Sequence, residues 1–289
     1  MKHLPLDREE YIEQTYFFRT YRERLEDSIP SQIVLATIYE EILATTKLPM
    51  AIDFLKGELM LTGRISDGME KLSHYFTPFQ TFILKNAEDD KSKFDQKTAL
   101  KILEREAEYR SETPSSAGLF IYQFECIARN RLGYHAGLEA IARDTLYNDD
   151  WSSWIRKLKI QLGSVDFADL LYLRSAHFVD EQRRLPGKEQ FTPKYPILFS
   201  KQDGRIAKAN HNRDPLYMFA ALQRQLGYPK VPRILPQSGK SLFHPALEAR
   251  LHKIEMRLQL IDSELKGNID LSKFDVKDLK FGDQPSDQG

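Results

Sequence analysis

The stretch richest in chemically useful side chains is Gly204-Arg205-Ile206-Ala207-Lys208-Ala209-Asn210-His211-Asn212-Arg213-Asp214. It sets Arg205, Lys208, His211 and Arg213 beside two amides, immediately ahead of a helix start predicted at Asp214-Pro215. Backbone N–H groups at a helix N-terminus attract anions, and guanidinium or ammonium groups complete a phosphate or carboxylate site. These four residues are therefore candidate anion-binding residues. Asp214 argues against them, because as N-cap its carboxylate takes the same N–H groups. Aromatics near the basic region, Phe191, Tyr195, Phe199, Tyr217 and Tyr228, suit stacking on bases as well as they suit a core.

The remaining signals are weaker. Ser238-Gly239-Lys240-Ser241 carries the end of a P-loop, but position 234 is Ile where the loop needs its first glycine, and the approach is rich in proline. His135 with Glu139 and His177 with Asp180 have helical spacing, yet no Glu-x-x-His pair exists, and surface ion pairs are the expected use of both. Cys126 lies in an apolar helical run and reads as a buried, inert thiol. Asp53, Asp166 and Asp169 sit in apolar helices and could be buried carboxylates, with capping an equal explanation for Asp166. No catalytic residue is assigned from this, and no cofactor or metal is expected.

Composition narrows the class. Apolar residues at 41% and charged residues at 29% place the chain among globular proteins. One cysteine excludes an intrachain disulfide framework and a cysteine-based zinc site, and it fits a reducing compartment. The N-terminus turns acidic by Asp7 and has no apolar core, so no signal peptide is expected there. The longest apolar run, Leu216 to Leu222, is far short of a bilayer crossing. A soluble, cytoplasmic protein is the expectation. Zero net charge hides a gradient: residues 1–150 carry net −7 (19 basic, 26 acidic), residues 151–257 net +10 (19 basic, 9 acidic) and residues 258–289 net −3 (4 basic, 7 acidic). Either the two main regions face each other, or the basic stretch 183–240 meets an anionic partner.

The elements that must position these residues are mostly helices. Asp7 with Glu10 has the capping-box pattern, followed by Tyr11, Ile12, Thr15, Phe18, Tyr21 and Leu25 at 3–4 spacing. Further starts and stops are read at Pro30, Pro49 to Gly63, Ser66 to His74, Thr77-Pro78, Pro114 to Arg131, Tyr134 to Arg143, Asp149-Asp150 to Gly163, and Ser164 to Leu185. The charged stretch Glu88 to Lys93 is either a turn within one long helix or a break between two. Residues 186–213 read as loop-rich, with a short hairpin pairing Ile197-Leu198-Phe199 and Arg205-Ile206-Ala207 around Gln202-Asp203-Gly204. The predicted fold is mainly α, an irregular multi-helix bundle with room for that one hairpin, plus a C-terminal coiled-coil helix.

That last helix is the most specific structural signal. Leu247, Leu251, Ile254, Leu258, Ile261 and Leu265 are spaced 4, 3, 4, 3, 4, a heptad seam with a branched aliphatic at every a and d position. The predicted organisation is a helical body over 1–185, a basic segment with a helix packed on it over 186–227, a proline-rich linker over 228–244, the coiled-coil helix over 245–267, and a partly disordered tail over 268–289. Fewer than three heptads make only a modest coiled coil. The seam nevertheless needs a cover, in the form of a second copy, a foreign helix, or the body itself.

Two segments, Glu41-Ile42-Leu43-Ala44-Thr45-Thr46-Lys47-Leu48-Pro49-Met50-Ala51-Ile52-Asp53-Phe54-Leu55 and Gly204 through Gly227, resemble an uncharacterised bacterial protein family over most of the chain before the linker. The resemblance implies no activity and no site. Three functional readings follow from the residues. The preferred one is a non-enzymatic interaction or scaffold protein that forms a homo-oligomer through the seam. The alternatives are a nucleic-acid or ribosome-associated binder using 183–240, and an all-α enzyme or small-ligand binder whose pocket residues are scattered in sequence.

Overall fold

The computed structural model describes residues 5–89 and 91–233. Among them it holds thirteen α-helices and no strand, so the fold is mainly α as the periodicity predicts. The helices are α1 (Arg8–Glu26), α2 (Ser31–Glu41), α3 (Leu48–Thr62), α4 (Ile65–Lys71), α5 (Pro78–Ala87), α6 (Gln96–Ser111) and α7 (Ser116–Arg129). They continue as α8 (Tyr134–Ala142), α9 (Asp149–Gln161), α10 (Phe167–Tyr172), α11 (Ala176–Arg183), α12 (Lys201–Ala209) and α13 (Pro215–Leu226). None of the described helices is long and apolar enough to cross a membrane.

The core is built around α7, in which every residue from Ala117 to Ile127 is buried. A helix apolar on nearly all sides must be enclosed by others. Here α6, α8 and α13 pack on it, while α6 also runs along α1. Phe120 meets Trp151, Trp154 and Phe199 at ring-centroid distances of 5.7, 4.9 and 6.4 Å. One turn further on, Phe124 stacks on Phe167 at 4.1 Å and touches Phe219 at 6.1 Å. Burying each such ring stabilises the fold by roughly 1.5–3 kcal/mol, so the basic segment is tied to the acidic half largely by aromatic contacts.

Several boundaries follow the local code. Thr77 and Gln80 close a capping box on α5, with Pro78 in the first turn. Gly63 (φ +75°) and Gly227 (φ +69°) end α3 and α13 in the left-handed region, where a β-carbon is penalised. The charged stretch after Ala87 is a break, since α5 ends there and α6 starts at Gln96.

Elsewhere the structure corrects the prediction. No hairpin forms around Gly204: residues 201–209 are α12, and Ser200 and Asp203 close a capping box on it. The other half, Leu198-Phe199, lies beside Arg174 to Ala176 in a parallel bridge, with Ala176 N–H donating to the Phe199 carbonyl at 3.0 Å. Gly204 serves that contact rather than a turn, because a β-carbon there would sit 2.0 Å from Ser175 Oγ. The same bridge splits the single helix expected over 164–185 into α10 and α11, capped by Asp166 and Ser175. Asn148, not Asp149, caps α9. Asp7 makes no side-chain cap on α1, and Glu10 instead accepts from Lys47 N and Tyr75 Oη, each at 2.8 Å.

After α13, Tyr228 and Val231 are buried, and Tyr228 Oη donates to Glu125 at 2.7 Å. The remainder of the proline-rich stretch, the Ser238-Gly239-Lys240-Ser241 motif, the seam residues Leu247, Leu251, Ile254, Leu258, Ile261 and Leu265, and the tail lie outside the described residues.

Candidate functional site

The four candidate anion-binding residues fall on α12 and the turn after it. Arg205 and Lys208 are three apart on the exposed side of the helix, while His211 and Arg213 are exposed in the turn before α13. Two of the four lie against carboxylates. Lys208 Nζ reaches both Glu181 carboxylate oxygens, at 2.8 and 2.6 Å. His211 Nδ1 lies 2.7 Å from Asp169 and 3.9 Å from Asp166. The helix start itself is taken, since Asp214 accepts from Leu216 N at 2.9 Å.

The partners come from α10 and α11, which the bridge at Ser175 holds against α12. Glu181 is the node of this face. Tyr172 Oη donates to it at 2.5 Å, and His177 Nε2 stands 3.1 Å away, one helical turn before it. Lys208 first, then Tyr172, holds the Glu181 carboxyl below its usual range. Burial, then the hydrogen bond to Glu181, pushes the Tyr172 phenol up. Tyrosine, histidine, carboxylate and lysine together are the raw material of acid–base chemistry. Here Tyr172 and Lys208 both donate to Glu181, an arrangement that ties three helices together and leaves the carboxylate acting as an anchor.

Asp166, Asp169 and His211 form the one group of described residues whose donor atoms all lie within 4.8 Å of one another. Two carboxylates and an imidazole are ligand types for a divalent cation. In the structure these atoms already have partners: Asp166 accepts from Ala168 N and Asn212 N, and His211 contacts Asp169 and Asn212. The arrangement is that of a helix cap joined to a histidine–carboxylate contact.

The other sequence candidates resolve individually. Glu139 pairs with Lys159 at 2.9 Å rather than with His135. Asp180 pairs with Lys201 at 2.6 Å, and His177 turns to Glu181 instead. Asp53 is exposed, not buried. Cys126 is fully buried, and burial pushes its thiol well above the ordinary value.

The feature that the sequence reading missed is a buried ionic triad. Arg110 on α6 is enclosed with Glu106, 2.9 Å away, and with Asp144, which it contacts directly. Gln123 donates to the same Glu106 oxygen at 2.7 Å, and Tyr147 to Gln123 at 2.8 Å. Burial raises the Glu106 carboxyl despite the opposing pull of Arg110. Burial alone would lower Arg110, but Asp144 and Glu106 outweigh it and raise its value. The signal was present, since positions 99, 103, 106 and 110 continue one face of α6 at 3–4 spacing, so Glu106 and Arg110 had to face inward. Once inside, the three charges bind one another.

No family model, no curated protein and no solved structure matches this chain. The function is therefore argued from the residues themselves.

Proposed function

We propose that the protein is a helical interaction or scaffold protein that self-associates through its C-terminal segment. The observation that carries this reading is the 4, 3, 4, 3, 4 spacing of Leu247, Leu251, Ile254, Leu258, Ile261 and Leu265. As a helix, that segment presents a narrow stripe of six branched aliphatics, and water drives such a stripe onto another helix.

Two features of the described body support a role in binding proteins. Acidic groups are interleaved with the basic segment, so that Asp169, Asp180 and Glu181 pair with His211, Lys201 and Lys208. This weakens the case for a nucleic-acid surface. Along α3, Met50, Phe54 and Leu61 recur at helical spacing and are 71%, 39% and 81% exposed, an apolar surface of the kind that protein contacts use. A cytoplasmic location belongs to the same proposal, since one buried thiol suits a reducing compartment.

Light scattering tests the proposal on the full chain and on a chain ending at Gln237. The full chain should show a multiple of 33.7 kDa and the shortened chain a single copy. Replacing Ile254 and Leu258 by Asp in the full chain should also yield single copies. Equal monomeric masses for the full and shortened chains would rule the proposal out.

A further inference from the structure

Four of the five glycines inside the described helices stand where another group presses against the helix. A β-carbon at Gly68, Gly118, Gly137 or Gly204 would come within 3.0 Å of Leu55 Cδ2, Tyr109 Oη, Ile127 Cδ1 or Ser175 Oγ respectively. Gly57, in the second half of α3, is the exception. It is exposed, and nothing among the described residues lies within 4 Å of where its β-carbon would be. Glycine is a poor residue for a helix interior, because it loses the most backbone freedom on ordering. The described body gives this one no packing reason.

Gly57 belongs to the uncovered apolar stripe of α3. Met50, Phe54, Gly57 and Leu61 follow one another at spacings of 4, 3 and 4, the repeat by which one helix presents a seam to another. Met50, Gly57 and Leu61 are exposed, and so is much of Phe54. A helix laid on this stripe comes closest at Gly57. The missing side chain leaves a hollow there, and the axes can approach to the short end of the usual range of about 8–10 Å.

The stripe is complementary to itself. Two copies of α3 laid antiparallel about a two-fold axis can set Phe54 of one opposite Gly57 of the other, and the same register then sets Met50 opposite Leu61. A large ring enters the hollow, and each contact occurs twice, as an isologous interface requires. On the flank, Asp53 comes beside Lys56 of the second copy, and neither forms an ion pair among the described residues. Size decides when such a contact forms. One helical stripe covers well under the roughly 800 Å² per partner of a standard stable interface, so alone it leaves the body as single copies. Copies already joined elsewhere hold their bodies at a high effective concentration, at which a small contact closes.

We infer that α3 packs antiparallel on α3 of a second copy, with Gly57 at the crossing, as the contact between bodies in the assembly. The inference rests on the self-association proposed above, which supplies the tether.

Sedimentation equilibrium on the full chain tests it, with the dissociation constant of the assembly as the readout. Gly57→Gln fills the hollow and should weaken association roughly tenfold or more. In the chain ending at Gln237, which retains the compact unit Met1–Ile234, the same substitution should instead raise the Tm by about 1–3 °C. Glutamine is the better helix former and touches nothing there. Asp53→Lys should weaken full-chain association several-fold, and adding Lys56→Asp should restore it, because both members of a symmetric charge pair are then exchanged. Unchanged association in Gly57→Gln, or a lowered Tm in the shortened chain, would overturn the inference. A double exchange that fails to restore assembly would overturn it too, giving the stripe to a helix other than α3. A full chain that is monomeric throughout would sink both this inference and the self-association it rests on, whereas the other results bear on α3 alone.

Discussion

Arg110→Met removes the only cation among three buried charges while keeping most of the side-chain volume. In the native fold the Arg110 and Glu106 side chains are 1% and 0% exposed, and Asp144 is equally enclosed. Without the guanidinium, two carboxylates remain inside with no counter-charge, and breaking a buried pair in this way costs about 3–5 kcal/mol. For a body of this size each kcal/mol is worth about 2–4 °C, so the Tm at pH 7 should fall by roughly 6–20 °C. The loss must depend on pH, and its sign is fixed. Burial already raises Glu106 in the native protein, and losing Arg110 raises it further. A carboxyl whose folded value exceeds its unfolded one contributes stability that is full below the unfolded value, about pH 4, and lost as pH rises through the folded value. The deficit of Arg110→Met should therefore be small near pH 4 and largest near pH 7–8. Adding Glu106→Gln removes one uncompensated charge and should recover part of the loss while flattening the pH dependence. Thermal and urea unfolding followed by circular dichroism between pH 4 and 8, at one fixed protein concentration, reads all three effects. An Arg110→Met protein within about 1 kcal/mol of the parent at pH 7 would refute the reasoning, since that is the scale of an exposed ion pair. A deficit that did not vary with pH would refute it equally.

Two further outcomes follow from close packing. Gly204→Ala should destabilise by at least about 1–3 kcal/mol, because its new β-carbon would lie 2.0 Å from Ser175 Oγ and 2.8 Å from the His177 β-carbon; a neutral effect on urea unfolding would show that α11 and α12 yield freely. Cys126, buried and held as the thiol, should react with a thiol reagent only on unfolding, and rapid labelling of the folded protein at pH 7.5 would contradict its placement.

The elements that were legible in the sequence share a physical basis. Thr77-Pro78, Pro49 with Gly63, and Asp214-Pro215 with Gly227 set helix ends because capping and the left-handed turn act over three or four residues. Local information of that kind survives whatever the rest of the chain does. Capping failed where a stronger distant partner existed. Glu10 leaves the Asp7 cap for Lys47 N and Tyr75, residues brought alongside only by folding. Gly204 failed for a related reason: a glycine after Gln202-Asp203 signals a turn locally, but here it lets Ser175 approach α12. The candidate site divides in the same way. Arg205, Lys208, His211 and Arg213 were visible as a basic group, but the carboxylates that engage Lys208 and His211 come from 27 and 42 residues away.

By itself, then, the amino-acid order determined that this chain is helical, where most of its helices begin and end, and which residues carry charge in the basic stretch. It also set the heptad spacing on which the proposed association rests. Tertiary structure alone decided which charges are free. Arg110 became a buried ion-pair partner, and Lys208 and His211 were brought against carboxylates from α11 and α10. Helix formation is written in neighbours a few residues apart, whereas the state of a charge or a donor depends on whatever the whole fold places within about 4 Å of it.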